Sequence, residues 1–409
     1  MTTYNFDKII NRKGTNCLKY DFAVERGKPA DVLPLWVADM DFPVSEEITK
    51  SLHAAVDHGI YGYTQPKDAY YNAVMNWMEK NHNWKTEREW IVKTPGVVFA
   101  LGAAVKAFTE PGDAVLIQNP VYYPFTNIIR DNDRKVIDNT LVYEKTSAQE
   151  IDEKVVEKAQ YRIDYEDFER KIEQENVKLF ILCNPHNPVG RVWTAEELQK
   201  LGEICLRHHV IVVSDEIHND FVYPGYEHTV FANVDPRFAE FTVTCTAPSK
   251  TFNLAGLQIS NIFIPNEKLR KAFQTEIDKT GYDEPNALGI VACEAAYRAG
   301  EDWLDQLREY LLGNLNFLRS YLQEKIPQIH LVEPEGTYLV WLDCSELGIT
   351  GKELDQFIVD KARLWLDGGS MFGPSGAAFQ RVNIACPQAT LELALNKLKA
   401  AVDSLDSLK

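Results

Sequence analysis

Residues 178–214 read KLFILCNPHNPVGRVWTAEELQKLGEICLRHHVIVVS, with two apolar runs on either side of an amphipathic segment. The runs KLFILC and VIVVS are apolar on both faces, which is typical of strands buried in a parallel sheet. Between them, Thr194–His209 places apolar residues at helical spacing, and Thr194 with Glu197 matches a capping box. Strand, helix and strand in this order predict a βαβ unit.

Further apolar runs of the same kind extend the pattern in both directions, at Ala114–Gln118, Phe241–Cys245 and Ile259–Ile264. Repetition of buried strands and helices predicts an α/β fold with a mostly parallel central sheet. No long flexible linker or fixed-period repeat interrupts the chain, so we expect one continuous unit.

The last third of the chain has a different pattern. Asp302–Lys325 predicts a long amphipathic helix and Leu391–Leu405 another, while Thr337–Asp343 and Gln380–Ile384 predict strands of a separate, smaller sheet. We therefore expect a large α/β domain at 46–285 and a smaller α+β domain built from 1–45 and 286–409.

Composition excludes several classes of protein. The 409 residues carry 43 basic and 60 acidic side chains, a net charge of −17, which disfavours nucleic acid and anionic membranes as partners. The seven cysteines are odd in number and form no CxxC pair, so neither a disulfide framework nor a zinc site is predicted. The polar N-terminus and the lack of a long apolar run predict a cytoplasmic protein without a transmembrane helix.

Familiar short motifs are also missing: GxGxxG, GxxxxGK[ST], HExxH and GxSxG do not occur. His208 and His209 end a predicted helix, where an imidazole favours the helix dipole, and we expect no metal there. The acidic run near Glu144–Glu157 predicts a solvated face or a loop insertion.

Two charged residues follow buried strands, where ligands of an open parallel sheet collect. Asp215 comes directly after VIVVS, and Lys250 comes five residues after the strand FTVTC. Taken alone, Asp215 could be a helix N-cap and Lys250 a solvated surface group. Taken together, a carboxylate for a pyridine nitrogen and an amine for a Schiff base are the two contacts that pyridoxal phosphate (PLP) chemistry requires.

Other residues after the strands fit the same cofactor. Gly96, Val97 and Val98 precede a helical stretch, so their amides could hold a phosphate at a helix N-terminus. Tyr122 offers a flat face for a pyridine ring, although it could equally be a core aromatic. The segment Asn184–Gly190 supplies an amide at the same end of the sheet.

With these residues in place, the chain resembles the fold-type I PLP-dependent enzymes of the class I/II aminotransferase superfamily, through NPHNPVG, SDEIH and APSKTFN in that order. More narrowly, it resembles the cystathionine β-lyase (C–S lyase) subgroup. The segments that carry this resemblance span most of the chain: LPLWVADMDF at 33–42, YGYT at 61–64, SDEIHND at 214–220, SKTFNLAGL at 249–257, GTYLVWLD at 336–343 and RVNIACP at 381–387.

The resemblance implies a role for each matching residue. Lys250 would be the catalytic Schiff-base lysine, and the cofactor would be bound by Asp215 at its ring nitrogen, Tyr122 on its face, and Asn187 and His218 near its phenolic oxygen. Its phosphate would lie on Gly96, Val97 and Val98, and Tyr63 would reach it from the neighbouring subunit of a homodimer. Arg381, with Asn187, would hold the substrate carboxylate; a structural ion pair is the alternative for Arg381.

Two positions depart from the aminotransferase pattern, which often has a serine three residues before the lysine and an arginine eight after it. Ala247 and Gln258 occupy these positions. We therefore expect the phosphate to depend on helix amides, on Tyr63 and on a hydroxyl from Ser249 or Thr246. The missing arginine is typical of the lyase subgroup.

The resemblance implies α,β-elimination from L-cystathionine or related cysteine derivatives, which releases a thiol, pyruvate and ammonia. A class I/II aminotransferase is the alternative, because both reactions use the same lysine, aspartate and arginine. A regulatory protein that only senses PLP is disfavoured, since a winged-helix domain would need room before residue 33 and the net charge of −17 opposes DNA binding.

Overall fold

The structure is a computed structural model that describes residues 3–151 and 154–406. Its strands are β1 (Leu33–Pro34), β2 (Ile91–Thr94), β3 (Ala114–Ile117), β4 (Lys135–Asp138), β5 (Val142–Ile151), β6 (Lys154–Arg162), β7 (Leu179–Cys183), β8 (Ile211–Asp215), β9 (Thr242–Thr246), β10 (Ser260–Phe263), β11 (His330–Val332), β12 (Leu339–Asp343), β13 (Leu364–Trp365), β14 (Asp367–Gly368) and β15 (Phe379–Asn383).

Helices cover both faces of the sheets. They are α1 (Leu18–Asp21), α2 (Glu46–His58), α3 (Asp68–His82), α4 (Val97–Phe108), α5 (Pro124–Asp131), α6 (Tyr165–Glu175), α7 (Ala195–Arg207), α8 (Pro248–Thr251), α9 (Glu267–Asp278), α10 (Ala287–Ala299), α11 (Glu301–Lys325), α12 (Gly351–Asp360) and α13 (Gln388–Asp406). None of those within residues 3–151 and 154–406 combines the length and the apolar character needed to cross a membrane.

The larger sheet has seven strands in the order β2-β10-β9-β8-β7-β3-β4. All its neighbours pair in parallel except β10, which runs antiparallel to both β9 and β2. This confirms the predicted α/β fold with a mostly parallel sheet, and the five strands predicted for this sheet each lie within one residue of their observed bounds. Because β10 alone is reversed, the carboxyl ends of β2, β3, β7, β8 and β9 meet at one edge.

Apolar residues on both faces of this sheet explain its burial. On one face, α4 packs a run of small and branched residues, including Ala100, Leu101 and Ala104, against the strands. On the other face, α7 buries Leu198 and Leu201. Its N-terminus has the predicted capping box, which typically contributes about 1 kcal/mol to stability.

The smaller sheet has four antiparallel strands in the order β11-β12-β15-β14, with α11 and α13 as the predicted amphipathic helices. The strands of the two sheets therefore occupy separate parts of the sequence, at 91–263 and 330–383. The division into domains at residues 46 and 285 stays a prediction, and α10 packs against both α2 and α3 across it.

Two segments of the sequence analysis lie outside these sheets. The acidic run near Glu144–Glu157 lies in a hairpin of β5 and β6; residues 152–153 and the side chains of 146–158 are outside the described part. His208 follows the end of α7, and its Nε2 atom lies 3.0 Å from a carboxylate oxygen of Glu169.

Candidate active site

A pocket of about 800 Å³, partly open to solvent, lies at the carboxyl edge of the larger sheet. The loops after β2, β3, β7, β8 and β9 all reach it, so residues far apart in sequence converge there. All the predicted site residues except Tyr63 and Arg381 line it: Gly96, Val97, Val98, Tyr122, Asn187, Asp215, His218, Ser249 and Lys250.

Lys250 lies in the short helix α8, immediately after β9. Its Nζ donates a hydrogen bond of 3.0 Å to the carbonyl oxygen of Ala38, from the segment LPLWVADMDF. Burial lowers the pKa of Lys250 to about 8, an effect opposed by Asp39 and Asp215 and increased by Arg381. Lys250 is therefore not the solvated surface group of the alternative interpretation, and about half of its amine is uncharged at pH 8.

Asp215 is the last residue of β8 and is buried. Its Oδ1 accepts a hydrogen bond of 3.2 Å from the amide of Ile217, and no helix follows, so it is not a helix N-cap. Burial raises the pKa of Asp215 to about 7, although the Ile217 amide and Lys250 both act to lower it. A permanent cation in the pocket would hold this carboxylate ionised.

His218 and Tyr122 add an imidazole and an aromatic ring to the same pocket. His218 is buried, and its Nδ1 has no hydrogen-bond partner in the described part of the chain. Burial first, and then the positive charges of Lys250 and Arg381, hold the pKa of His218 well below its usual value, so the ring is neutral. Burial raises the pKa of the Tyr122 phenol, which stays protonated.

One end of the pocket is the N-terminus of α4. Gly96 is the N-cap residue, and no side chain caps the helix, so the amides of Val97 and Val98 at its first turn are available to an anion. Of the two candidate hydroxyls, Ser249 lines the pocket. Thr246 is buried away from it and its hydroxyl donates to the carbonyl of Asn261 at 3.0 Å, so the structure favours Ser249.

Arg381 lies on β15, behind the pocket, and is buried. One Nη atom donates to Oδ1 of Asn187 at 2.9 Å, and the other pairs with the carboxylate of Asp367. The structural ion pair that we considered as an alternative is therefore present. However, Nε of Arg381 is buried without a partner in the described part of the chain, so its hydrogen-bonding capacity is not exhausted.

Tyr63 does not line the catalytic pocket in the single chain. It is 95% exposed and lies in a segment without regular structure between α2 and α3. Its predicted role requires a second subunit, which the single chain does not contain, and stays a prediction.

The sequence analysis missed two residues that position the amine of Lys250 through hydrogen bonds, Ala38 and Tyr338. Ala38 accepts from Lys250, and the hydroxyl of Tyr338 donates to the same carbonyl at 2.9 Å. The ring of Tyr338 packs edge-on against His218, with centroids 5.8 Å apart. Both residues lie in segments that carried the family resemblance. However, Ala38 acts through its backbone carbonyl, and the identity of its side chain does not reveal such a role.

Comparison with known proteins identifies the family of this chain. A model described as "Aminotransferase class I and II" matches residues 30–398. The chain belongs to this family. It is 46% identical to a cystathionine β-lyase, PatB, of Bacillus subtilis, over 97% of this chain and all of the relative.

Solved structures of PLP-containing proteins share the fold. Cystalysin from Treponema denticola, which contains a PLP cofactor, superposes with a TM-score of 0.91 and 38% identity, covering 99% of this chain and all of that one. A PLP-bound chain described as a putative aminotransferase from Clostridium difficile superposes with a TM-score of 0.92 and 41% identity, covering 98% and 100%.

Proposed function

We propose that this protein is a PLP-dependent carbon–sulfur β-lyase. It eliminates a thiol from L-cystathionine or a related cysteine derivative and releases pyruvate and ammonia; with cystathionine the thiol is homocysteine. The observation that carries the proposal is the convergence of Lys250 and Asp215 in one pocket that also contains an uncapped helix N-terminus. The similarity to cystathionine β-lyases along nearly the whole chain supports it.

The residues of the pocket fit PLP. The amides at the start of α4 and the hydroxyl of Ser249 match a phosphate, and the buried carboxylate of Asp215 matches a protonated ring nitrogen. Nδ1 of His218 is buried without a partner in the described part of the chain, and it and the amide of Asn187, which line the same pocket, are the groups that we assign to the phenolic oxygen.

Bound there, the cofactor supplies an electron sink that allows the Cα–H bond of an amino acid to break. Lys250 anchors the cofactor and, once the substrate amine has displaced it, is the base for the Cα proton, because its lowered pKa of about 8 makes a larger fraction of the amine free at neutral pH than in an ordinary lysine. Asp215 keeps the ring nitrogen protonated, and Arg381 with Asn187 holds the substrate carboxylate.

The test incubates the purified holoprotein with L-cystathionine and no keto-acid acceptor, and measures pyruvate together with free thiol. We expect both products in equal amounts. Keto-acid formation only after an acceptor is added would instead support an aminotransferase, the second candidate, which the name of the Clostridium difficile relative favours.

We further propose a homodimer with shared active sites, in which Tyr63 of each subunit contacts the phosphate bound by the other. The exposure of Ile60, Tyr61 and Tyr63 in one short segment supports a partner surface there, because single chains seldom expose such a run of large apolar side chains. A cytoplasmic location is also proposed, and the seven free cysteines support it.

A further inference from the structure

Asp220 is a buried carboxylate that the proposed chemistry does not use. It lies in the loop after β8, two residues beyond His218. Its Oδ1 accepts a hydrogen bond of 3.1 Å from the indole of Trp77 and lies 3.0 Å from Nε2 of His82, and both of these residues are on α3. Its Oδ2 accepts a hydrogen bond of 2.6 Å from the hydroxyl of Thr251 on α8. One carboxylate therefore joins α3, α8 and the loop after β8.

The neighbours of Asp220 keep this carboxylate ionised. Burial alone would raise the pKa of Asp220, but the hydrogen bonds from His82 and Thr251 hold it below its ordinary value. Because an ionised carboxylate only accepts hydrogen bonds, Nε2 of His82 is the donor in this contact. A buried charge with its partners often stabilises a fold no better than apolar side chains of similar volume would. What the charge provides here is a fixed geometry for the groups that donate to it.

The contact with Thr251 matters because this residue directly follows Lys250. Helix α8 contains only four residues, Pro248–Thr251, and a single turn is too short to be stable by its own backbone hydrogen bonds. Its orientation therefore depends on side-chain contacts, of which the bond between Thr251 and Asp220 is one. Lys250 is thus held at its backbone by this bond and at its amine by the carbonyl oxygen of Ala38.

A second buried carboxylate fixes the other end of the loop after β8. Glu216 is buried, and one of its carboxylate oxygens lies 3.0 Å from Nε2 of His228. The ring of His228 packs edge-on against that of His82, with centroids 5.5 Å apart, and His82 contacts Asp220. Between these two carboxylates, His218 lines the catalytic pocket. The loop that presents His218 is therefore anchored on both sides of this residue.

We propose that Asp220 is a positioning residue, which fixes Lys250 through Thr251 and fixes His218 through the loop that they share. The inference rests on the proposed role of Lys250 as the amine that binds PLP. It applies equally to elimination and to transamination, because both need the amine in the same place.

The test measures how fast the yellow absorbance forms when saturating PLP is added to the cofactor-free protein. In Thr251→Val, which removes the hydroxyl and keeps the volume, we expect the rate to fall about ten- to hundredfold, the effect of a small misplacement of a reacting group. Thr251→Ser retains the hydroxyl and should restore most of the rate. Thr242→Val is the matched control: it removes an equally buried hydroxyl at the other end of β9, where the partner is the carbonyl of Phe238.

Urea titrations separate positioning from general stability. We expect the two valine variants to lose similar stability, seen as similar shifts of the urea midpoint, while only Thr251→Val slows the formation of the yellow absorbance. An unchanged rate in Thr251→Val, or an equal loss of rate in Thr242→Val, would overturn the proposal.

A third variant tests whether Thr251 acts through Asp220. Asp220→Asn should slow the reaction with PLP at least as much as Thr251→Val, and combining the two changes should add little, because both break the same bond. Losses that multiply would show that Thr251 acts independently of Asp220 and would overturn the proposal.

Turnover gives a further readout with a different dependence on the proposed function. With L-cystathionine, Thr251→Val should lower kcat about ten- to hundredfold and leave KM nearly unchanged, since Arg381 and Asn187 are untouched. If the parent protein released no pyruvate while Thr251→Val still slowed the reaction with PLP, the lyase function would be overturned and the positioning role supported.

Discussion

At the scale of single residues, burial shifts the pKa values of Asp215 and Lys250 in the protein chain itself. Asp215 and Lys250 have opposite charges in solution, yet burial moves their pKa values to about 7 and about 8. Both pKa values therefore lie close to neutral pH, so a neighbouring charge can change the protonation state of either group. A charged ring nitrogen relieves the cost of ionising Asp215, so cofactor binding and the protonation of this carboxyl are linked.

This linkage predicts a pH dependence of stability in the cofactor-free protein. The pKa of Asp215 rises on folding from an ordinary 3.8 to about 7, so between these values the folded chain binds more protons than the unfolded chain. Its contribution to stability is therefore lost as pH rises. Relative to Asp215→Asn, which never ionises, the free energy of unfolding should fall by up to about 4 kcal/mol between pH 4 and pH 7.

Urea titrations of both proteins at a series of pH values measure this difference. A difference that stays constant across the window would show that Asp215 titrates in the folded chain as it does in the unfolded one.

At the same scale, the sequence predicted the catalytic and cofactor-binding side chains better than it predicted the residues that position them. Asp215 and Lys250 follow buried strands, and topology alone brings strand ends together. The support of Lys250 by the Ala38 carbonyl and Tyr338 depends on the path of an irregular segment, which no periodicity encodes. The ion pair between Arg381 and Asp367 likewise joins neighbouring strands of a sheet whose register was not predictable.

At the scale of elements, the central strands were predictable because they are apolar on both faces. Strands β7, β8 and β9 are buried at every position or nearly so. The edge strand β4 is half-exposed and contains charged residues, so its pattern resembles a loop. The reversed direction of β10 has no signature in its own residues, because an apolar run reads the same in either direction.

The N-terminus of α4 gives a prediction at this scale. Val97→Pro removes one amide from the first helical position, where proline is otherwise well tolerated. Because Gly96 already has the extended conformation that precedes proline, we expect the helix to persist. The affinity for PLP should fall about tenfold, the effect of losing one hydrogen bond to a charged group.

Val97→Ala is the matched control, since it removes the same buried side chain and keeps the amide. Fluorescence titration of the cofactor-free proteins with PLP measures both affinities. Equal losses in the two variants would assign the effect to packing and not to the amide.

At the scale of the whole molecule, most of the segment between α2 and α3 is exposed in the single chain. Its two tyrosines differ in their contacts within the chain. The hydroxyl of Tyr61 donates to the carbonyl oxygen of Val56 at 3.2 Å, whereas Tyr63 is 95% exposed. In the proposed homodimer, Tyr63 contacts the phosphate of the neighbouring subunit.

Tyr63→Phe should therefore weaken PLP binding about tenfold, the effect of one hydrogen bond to a charged group, while Tyr61→Phe has little effect. Light scattering of each variant reports the subunit number, so loss of affinity with the dimer retained identifies the lost contact. The shared site would be contradicted if the parent protein were a monomer and Tyr63→Phe bound PLP with the same affinity as the parent.

The central claim is that the amine of Lys250 holds PLP covalently. Reduction of the holoprotein with borohydride fixes this bond, and peptide mass spectrometry then locates the added group. We expect it on Lys250 alone, and the yellow absorbance of the holoprotein should disappear in Lys250→Ala. Attachment at another lysine, or a cofactor that dialyses away unattached after reduction, would contradict the assignment.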